Sequence, residues 1–114
     1  MSGPASPALA TLAHKIEVFA GVLQTAQEQG LLIKGYNLIN HNVKVKVTPG
    51  KKYIKVDVGG SGKYMIDAEG RIWGIKAYGV IHFGHQYGTL DTIQGWDWSG
   101  YVGIPTTPKE ARHE

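Results

Sequence analysis

Two periods divide the chain. Between residues 6 and 30 apolar side chains return every three or four positions, at Leu9, Leu12, Ile16, Phe19, Leu23 and Ala26, the spacing that lines one face of an α-helix. Ser6 offers an N-cap, Pro7 suits the first helical position and Gly30 a stop, so one amphipathic helix is predicted over 6–30. Its apolar face is expected to cover a sheet. Gly21 interrupts the helix at a cost of about 1 kcal/mol against alanine, which close packing on that sheet would explain.

From residue 31 the period becomes two. Val43, Val45 and Val47 alternate with Lys44, Lys46 and Thr48, Pro49-Gly50 marks a turn, and Ile54, Val56 and Val58 alternate with Lys55 and Asp57. That is the pattern of a hairpin, apolar inside and cationic outside. The run Gly59-Gly60-Ser61-Gly62 leads into a second hairpin, KYMID and RIWGIK, joined through Ala68-Glu69-Gly70. LLIKGYNLI, residues 31–39, has the composition to add a further strand. Aromatic residues then sit beside glycine repeatedly, at Trp73-Gly74, Tyr78-Gly79, Phe83-Gly84, Tyr87-Gly88, Gly95-Trp96 and Gly100-Tyr101, as in strongly curved sheets where rings cover backbone bent at glycine. Residues 104–114 read as a polar tail. The predicted fold is a single α+β domain over 1–114: one N-terminal amphipathic helix packed on a curved, mainly antiparallel β-sheet of five to seven strands.

Composition narrows the chemistry. With no cysteine among 114 residues, the domain has no disulfides, thiolate metal ligands or cysteine nucleophiles. No apolar run reaches the roughly 20 residues of a membrane helix and no basic residue precedes Lys15, so a soluble, untargeted, cytoplasmic protein is expected.

Three short motifs fall short of the chemistry they suggest. GGSGK lacks the phosphate-loop glycine at position 57 and the hydroxyl residue at 64, where Asp57 and Tyr64 stand, and it lies between strands rather than before a helix. Ser61 fails the nucleophile-elbow spacing, because Lys63 occupies the second glycine position. HFGH matches the H-x-G-H of nucleotidyltransferases and class I tRNA synthetases at His82, Phe83, Gly84 and His85 alone, with none of the long α/β domain that follows it there. On a regular strand His82 and His85 point to opposite faces. A bulge could bring them together with Asp91 as a third ligand, but hydrogen bonding and structure explain them without a metal. No catalytic residue, metal or cofactor is expected.

Charge points elsewhere. Residues 34–76 hold nine of the lysines and arginines against three acids, although the whole chain is only +3. Alternation sets Lys44 and Lys46 on one face, and the Pro49-Gly50 turn brings Tyr53 and Lys55 beside them, with Lys63 and Arg71 in support. Cations interleaved with rings can neutralise phosphates and stack bases, so nucleic acid is the expected partner. The same lysines also guard sheets against edge-to-edge association. A second candidate surface runs through Trp73, Tyr78, His82, His85, Tyr87, Asp91, Trp96 and Trp98, as a subunit interface or a small-ligand pocket; Trp96 and Trp98 share one side of a strand and form either core or an exposed apolar plate.

Residues 52–92 carry SGKYM, then GIKAYG, then HFGHQYGTLD, an order that resembles small proteins of tailed bacteriophages and viral metagenomes. The resemblance implies a phage origin, and hence the host cytoplasm or the virion, and brings no activity with it. Two expectations follow: a non-enzymatic accessory protein that binds nucleic acid through the lysine-rich sheet face, or a homo-oligomeric structural, host-interacting or ligand-sequestering protein that uses segment 73–103.

Overall fold

The computed structural model describes the backbone of residues 7–106 and the side chains of residues 12–106; the Ser6 cap, the Leu9 side chain and residues 107–114 of the polar tail lie outside the described residues. Helix α1 (Pro7–Ile33) is followed by β1 (Val45–Pro49), β2 (Ile54–Val58), β3 (Ser61–Ile66), β4 (Arg71–Ala77) and β5 (Val80–Thr89), then a 3₁₀ turn at Ile93–Gly95 and the short strands β6 (Trp96–Asp97) and β7 (Ile104–Pro105). Strands β1 to β5 pair in chain order, each antiparallel to the next, and the sheet stays open; β6 and β7 form a separate two-stranded ribbon. The α+β architecture is the one the sequence predicts.

The helix differs from expectation at three points. Gly30 does not end it. Leu31, Leu32 and Ile33 continue the helix, and Gly35, at φ 90°, closes it: the Tyr36 amide donates to the Leu31 carbonyl and the Gly35 amide to Leu32, each at 3.0 Å, the Schellman arrangement that a left-handed residue allows. LLIKGYNLI is therefore helix end and turn rather than strand, its polar part held by the Asn37 side chain, which accepts from the Asn40 amide at 2.9 Å. Gly21 makes no close approach, since a Cβ there would meet nothing within 4 Å; Gly30 does, because a Cβ would lie 2.9 Å from the Ser99 carbonyl oxygen.

One face of the sheet forms the core. Cross-strand rows Val47–Val56–Tyr64 and Ile54–Ile66–Ile72 supply its side chains, and Ile16, Phe19 and Leu23 of α1 close over them together with Leu90, Ile93 and Trp98. Each such aliphatic or aromatic side chain contributes about 1.5–3 kcal/mol on burial. Phe19 meets the Trp98 ring edge-on at 4.9 Å, and Trp98 donates its indole N–H to the Ile93 carbonyl at 3.0 Å. Two amides lock the helix in place. Gln24 accepts from the Val45 amide at 2.8 Å and donates to the Val43 carbonyl at 3.0 Å, while Gln27 donates to the carbonyls of Trp98 and Gly100.

Candidate nucleic-acid interface

Because α1 covers only one face, the side chains of opposite parity point away from it. One row crosses all five strands, Thr48–Lys55–Met65–Trp73–Gln86, and beside it runs Lys46–Asp57–Gly62. With strands about 4.8 Å apart, Lys55 and Trp73 stand two steps, about 10 Å, from each other. Met65 and Ile81 are buried on this side, outside the helix-facing cluster. Rings cover it. Phe83, 62% exposed, packs edge-on against Trp73 at 5.2 Å, and Tyr78, 58% exposed, projects from the two-residue β4–β5 turn.

Cations sit among these rings. Lys55 Nζ lies 4.9 Å from the Tyr78 ring centroid and the Arg71 guanidinium 5.7 Å from that of Trp73, positions where the ring quadrupole attracts positive charge. Tyr78 donates its hydroxyl to Asp57 Oδ2 at 3.3 Å, and the Asp57 charge in turn raises the phenol above its ordinary range. Asp57 Oδ1 is buried without a hydrogen-bond partner.

Asp67 organises the other end of the face. Its carboxylate accepts from the backbone amides of Glu69 and Arg71, from Arg71 Nε at 2.6 Å and from the Trp73 indole N–H at 3.0 Å. Burial works to raise its pKa, but these donors and the Arg71 charge outweigh it and hold the carboxyl below the usual range. Arg71 also reaches Glu69 Oε1 at 2.6 Å, so its charge is partly committed within the turn.

Two irregularities redirect predicted residues. Between Val56 and Asp57 the β2–β3 register slips, so that Val56 faces Tyr64 while Asp57 faces Gly62 and Lys63 is the extra residue, as in a β-bulge. Lys63 therefore leaves the Lys46–Lys55 face; its Nζ lies 3.6 Å from the Tyr101 ring centroid and donates to the Tyr101 carbonyl at 3.2 Å. In β5, Trp73 faces Gln86 while Gly74 faces His82, which loops out Phe83, Gly84 and His85. That loop brings His82 and His85 together instead of sending them to opposite faces: their rings stack 4.1 Å apart with 6° between planes. Asp91 is not with them but pairs with Lys15 at 2.7 Å on the surface. Among the described residues no cluster of three or more His, Cys, Asp or Glu could hold a metal.

The predicted nucleic-acid residues thus divide. Lys46, Lys55 and Arg71 share the outer face, Tyr53 has the same parity just ahead of β2, Lys44 precedes β1 at its margin, and Lys63 is turned away. Of the predicted interface or ligand residues, Trp73 and Tyr78 belong to this face as well. His82, His85 and Tyr87 lie toward the helix side, where the missing side chain of Gly74 leaves room for Tyr87 and His85. Trp96 is half-buried and stacks at 5.7 Å on Trp98, which is sealed in the core rather than part of an exposed plate. Sequence reasoning missed Phe83 as a member of the outer face, since only the β5 loop-out turns it onto Trp73.

No helix among the described residues is long and apolar enough to cross a membrane. No protein-family model, curated protein or solved structure matches the chain.

Proposed function

We propose that the uncovered sheet face binds single-stranded nucleic acid, without enzymatic chemistry, as an accessory protein of the phage type that the sequence resemblance implies. The observation that carries this reading is the alternation of exposed rings and cations across that face: Tyr78 beside Lys55, and Phe83 on Trp73 beside Arg71. Rings of this kind stack bases at about 1–3 kcal/mol each, whatever the sequence, while lysines neutralise phosphates and release counterions. A sheet face of stacking rings accepts unpaired bases, and no helix projects from that face among the described residues to enter a duplex groove.

Titration of labelled single-stranded DNA, single-stranded RNA and duplex DNA tests it. Single strands bind more tightly than duplex, affinity falls steeply from low to moderate salt, and Lys46→Glu with Lys55→Glu abolishes binding. Absence of binding to all three at low salt refutes the reading.

Self-association is the second reading, and a specific observation favours it at a place other than segment 73–103: Leu32, Ile33, Tyr36, Leu38 and Ile39 form an exposed apolar stretch, with Ile33 82% and Ile39 93% exposed. Light scattering gives a mass above 12.4 kDa by an integer factor if this stretch joins subunits, and Ile33→Asp with Ile39→Asp returns it to a monomer.

A further inference from the structure

Strands β3 and β4 are bridged only at Met65–Trp73 and Ile66–Ile72. Beyond Tyr64 the backbones of Gly62–Lys63 and Gly74–Ile75 run unbridged, and a pocket of ≈ 370 Å³ opens between them. Its walls are rings: the stacked His82–His85 pair, Tyr87 lying edge-on to His85 at 6.5 Å, and Tyr101. One cationic residue lines it, Lys63, which the bulge moved off the outer face and whose Nζ lies against the ring of Tyr101, itself a lining residue.

The charge there is one-sided. No acidic residue lines the pocket, and among the described residues Lys63 has no carboxylate partner; its Nζ rests on the Tyr101 ring and donates to one carbonyl. Partial burial lowers its pKa, which is the mark of an ammonium that has given up water without gaining a counter-charge. Behind Tyr87, 5.6 Å away ring to ring, Tyr64 is 2% exposed with its hydroxyl lacking a hydrogen bond. The volume lies near the lower end of ligand pockets, about 300–1,000 Å³, and suits one ring system with one charged group.

We propose that this pocket binds a planar ring carrying a single phosphomonoester, the chemistry of a nucleoside monophosphate, with the ring against Tyr87 and the imidazole pair and the phosphate on Lys63. Phosphate is the anion that Lys63 meets as a compact point charge and the imidazole N–H groups can help to hold. Neither Lys46 nor Lys55 lines the pocket, so substitutions at those two lysines leave the site intact. Two sources supply this chemistry: a free nucleotide, or the 5′-phosphorylated end of a strand.

Binding of the four nucleoside 5′-monophosphates is measured by calorimetry and by the imidazole NMR signals of His82 and His85, with the unphosphorylated nucleosides and inorganic phosphate alongside. At least one monophosphate shifts both imidazoles and binds at least about tenfold tighter than its nucleoside, the effect of one charge-assisted hydrogen bond. Lys63→Met removes that advantage, and His85→Ala, at an exposed position, weakens the ring contribution without unfolding the protein. Lys46→Glu with Lys55→Glu leaves monophosphate binding unchanged even where it abolishes strand binding. Oligonucleotides with and without a 5′-phosphate separate the sources: a difference that Lys63→Met erases assigns the strand end, and equal affinity assigns the free nucleotide. Silence of both imidazoles at millimolar monophosphate, or Lys63→Met and His85→Ala that bind as well as the parent, overturns the proposal.

Discussion

Trp73 donates its indole N–H to Asp67 at 3.0 Å, onto the same oxygen that takes Arg71 Nε at 2.6 Å. The half-buried Trp73 ring on the outer face and the turn between β3 and β4 are thus held by one carboxylate. Asp67→Asn keeps the shape, loses the charge and places an N–H₂ against other donors. A loss of about 2–3 kcal/mol follows from weakened charge-assisted bonds and a donor left without an acceptor. Chemical denaturation measures it, and a change in tryptophan emission reports the released indole.

The same group makes stability depend on acid. Its folded pKa lies below the ordinary carboxylate value, so its contribution is complete above about pH 4, the unfolded aspartate range, and is lost as pH falls through the lower native value. Asp97, held down chiefly by the Ser99 hydroxyl, acts in the same direction. Thermal melts of the parent therefore decline below that range, and Asp67→Asn shows a shallower decline. Identical acid profiles for the two proteins refute this assignment.

Tyr64 makes the opposite case. Its ring touches Phe19, Tyr87 and Trp98, but burial drives the phenol far above its ordinary range; the nearby Gly103 backbone amide offsets this only in part, and the hydroxyl has no hydrogen bond of ordinary geometry. Tyr64→Phe retains the ring contacts and deletes the unsatisfied group, so stability is unchanged or rises by up to about 1 kcal/mol. A loss of that size or more in a denaturant melt refutes it.

The pattern of alternation made the sheet legible in the sequence, because Val45, Val47, Val56 and Val58 could reach a core only with Lys46, Lys55 and Asp57 facing outward. It also made part of the site legible, placing Lys46 with Lys55. What it could not reveal are the places where parity breaks. One added residue sends Lys63 to the pocket, and three looped-out residues put Phe83 on Trp73 and His85 on His82. Bulges leave no fixed residue signature, since a glycine such as Gly84 serves turns and tight packing equally well. The helix end shows the same limit: Gly30 and Gly35 both qualify as stops, and only tertiary packing against Ser99 assigns Gly30 to close contact.

Phe83 separates folding from binding. Its ring is mostly exposed and, among the described aromatic residues, rests on Trp73 alone, so Phe83→Ala changes stability by less than about 1 kcal/mol. If Phe83 stacks a base, the same variant weakens single-strand binding by about 1–3 kcal/mol, roughly fivefold or more. Fluorescence anisotropy beside a thermal melt checks both, and unchanged affinity removes Phe83 from the interface.

A sheet with a helix on one side only leaves its other side to manage water alone. On this chain that side keeps Trp73, Tyr78 and Phe83 at the surface, with Lys46, Lys55 and Arg71 among them. The cations that would greet a polyanion are then also what keeps two such faces from sticking to each other. In the proposed reading, resistance to self-association and recognition draw on the same few charges. Replacing Lys46 and Lys55 by neutral residues removes that repulsion and leaves the rings of neighbouring molecules free to meet.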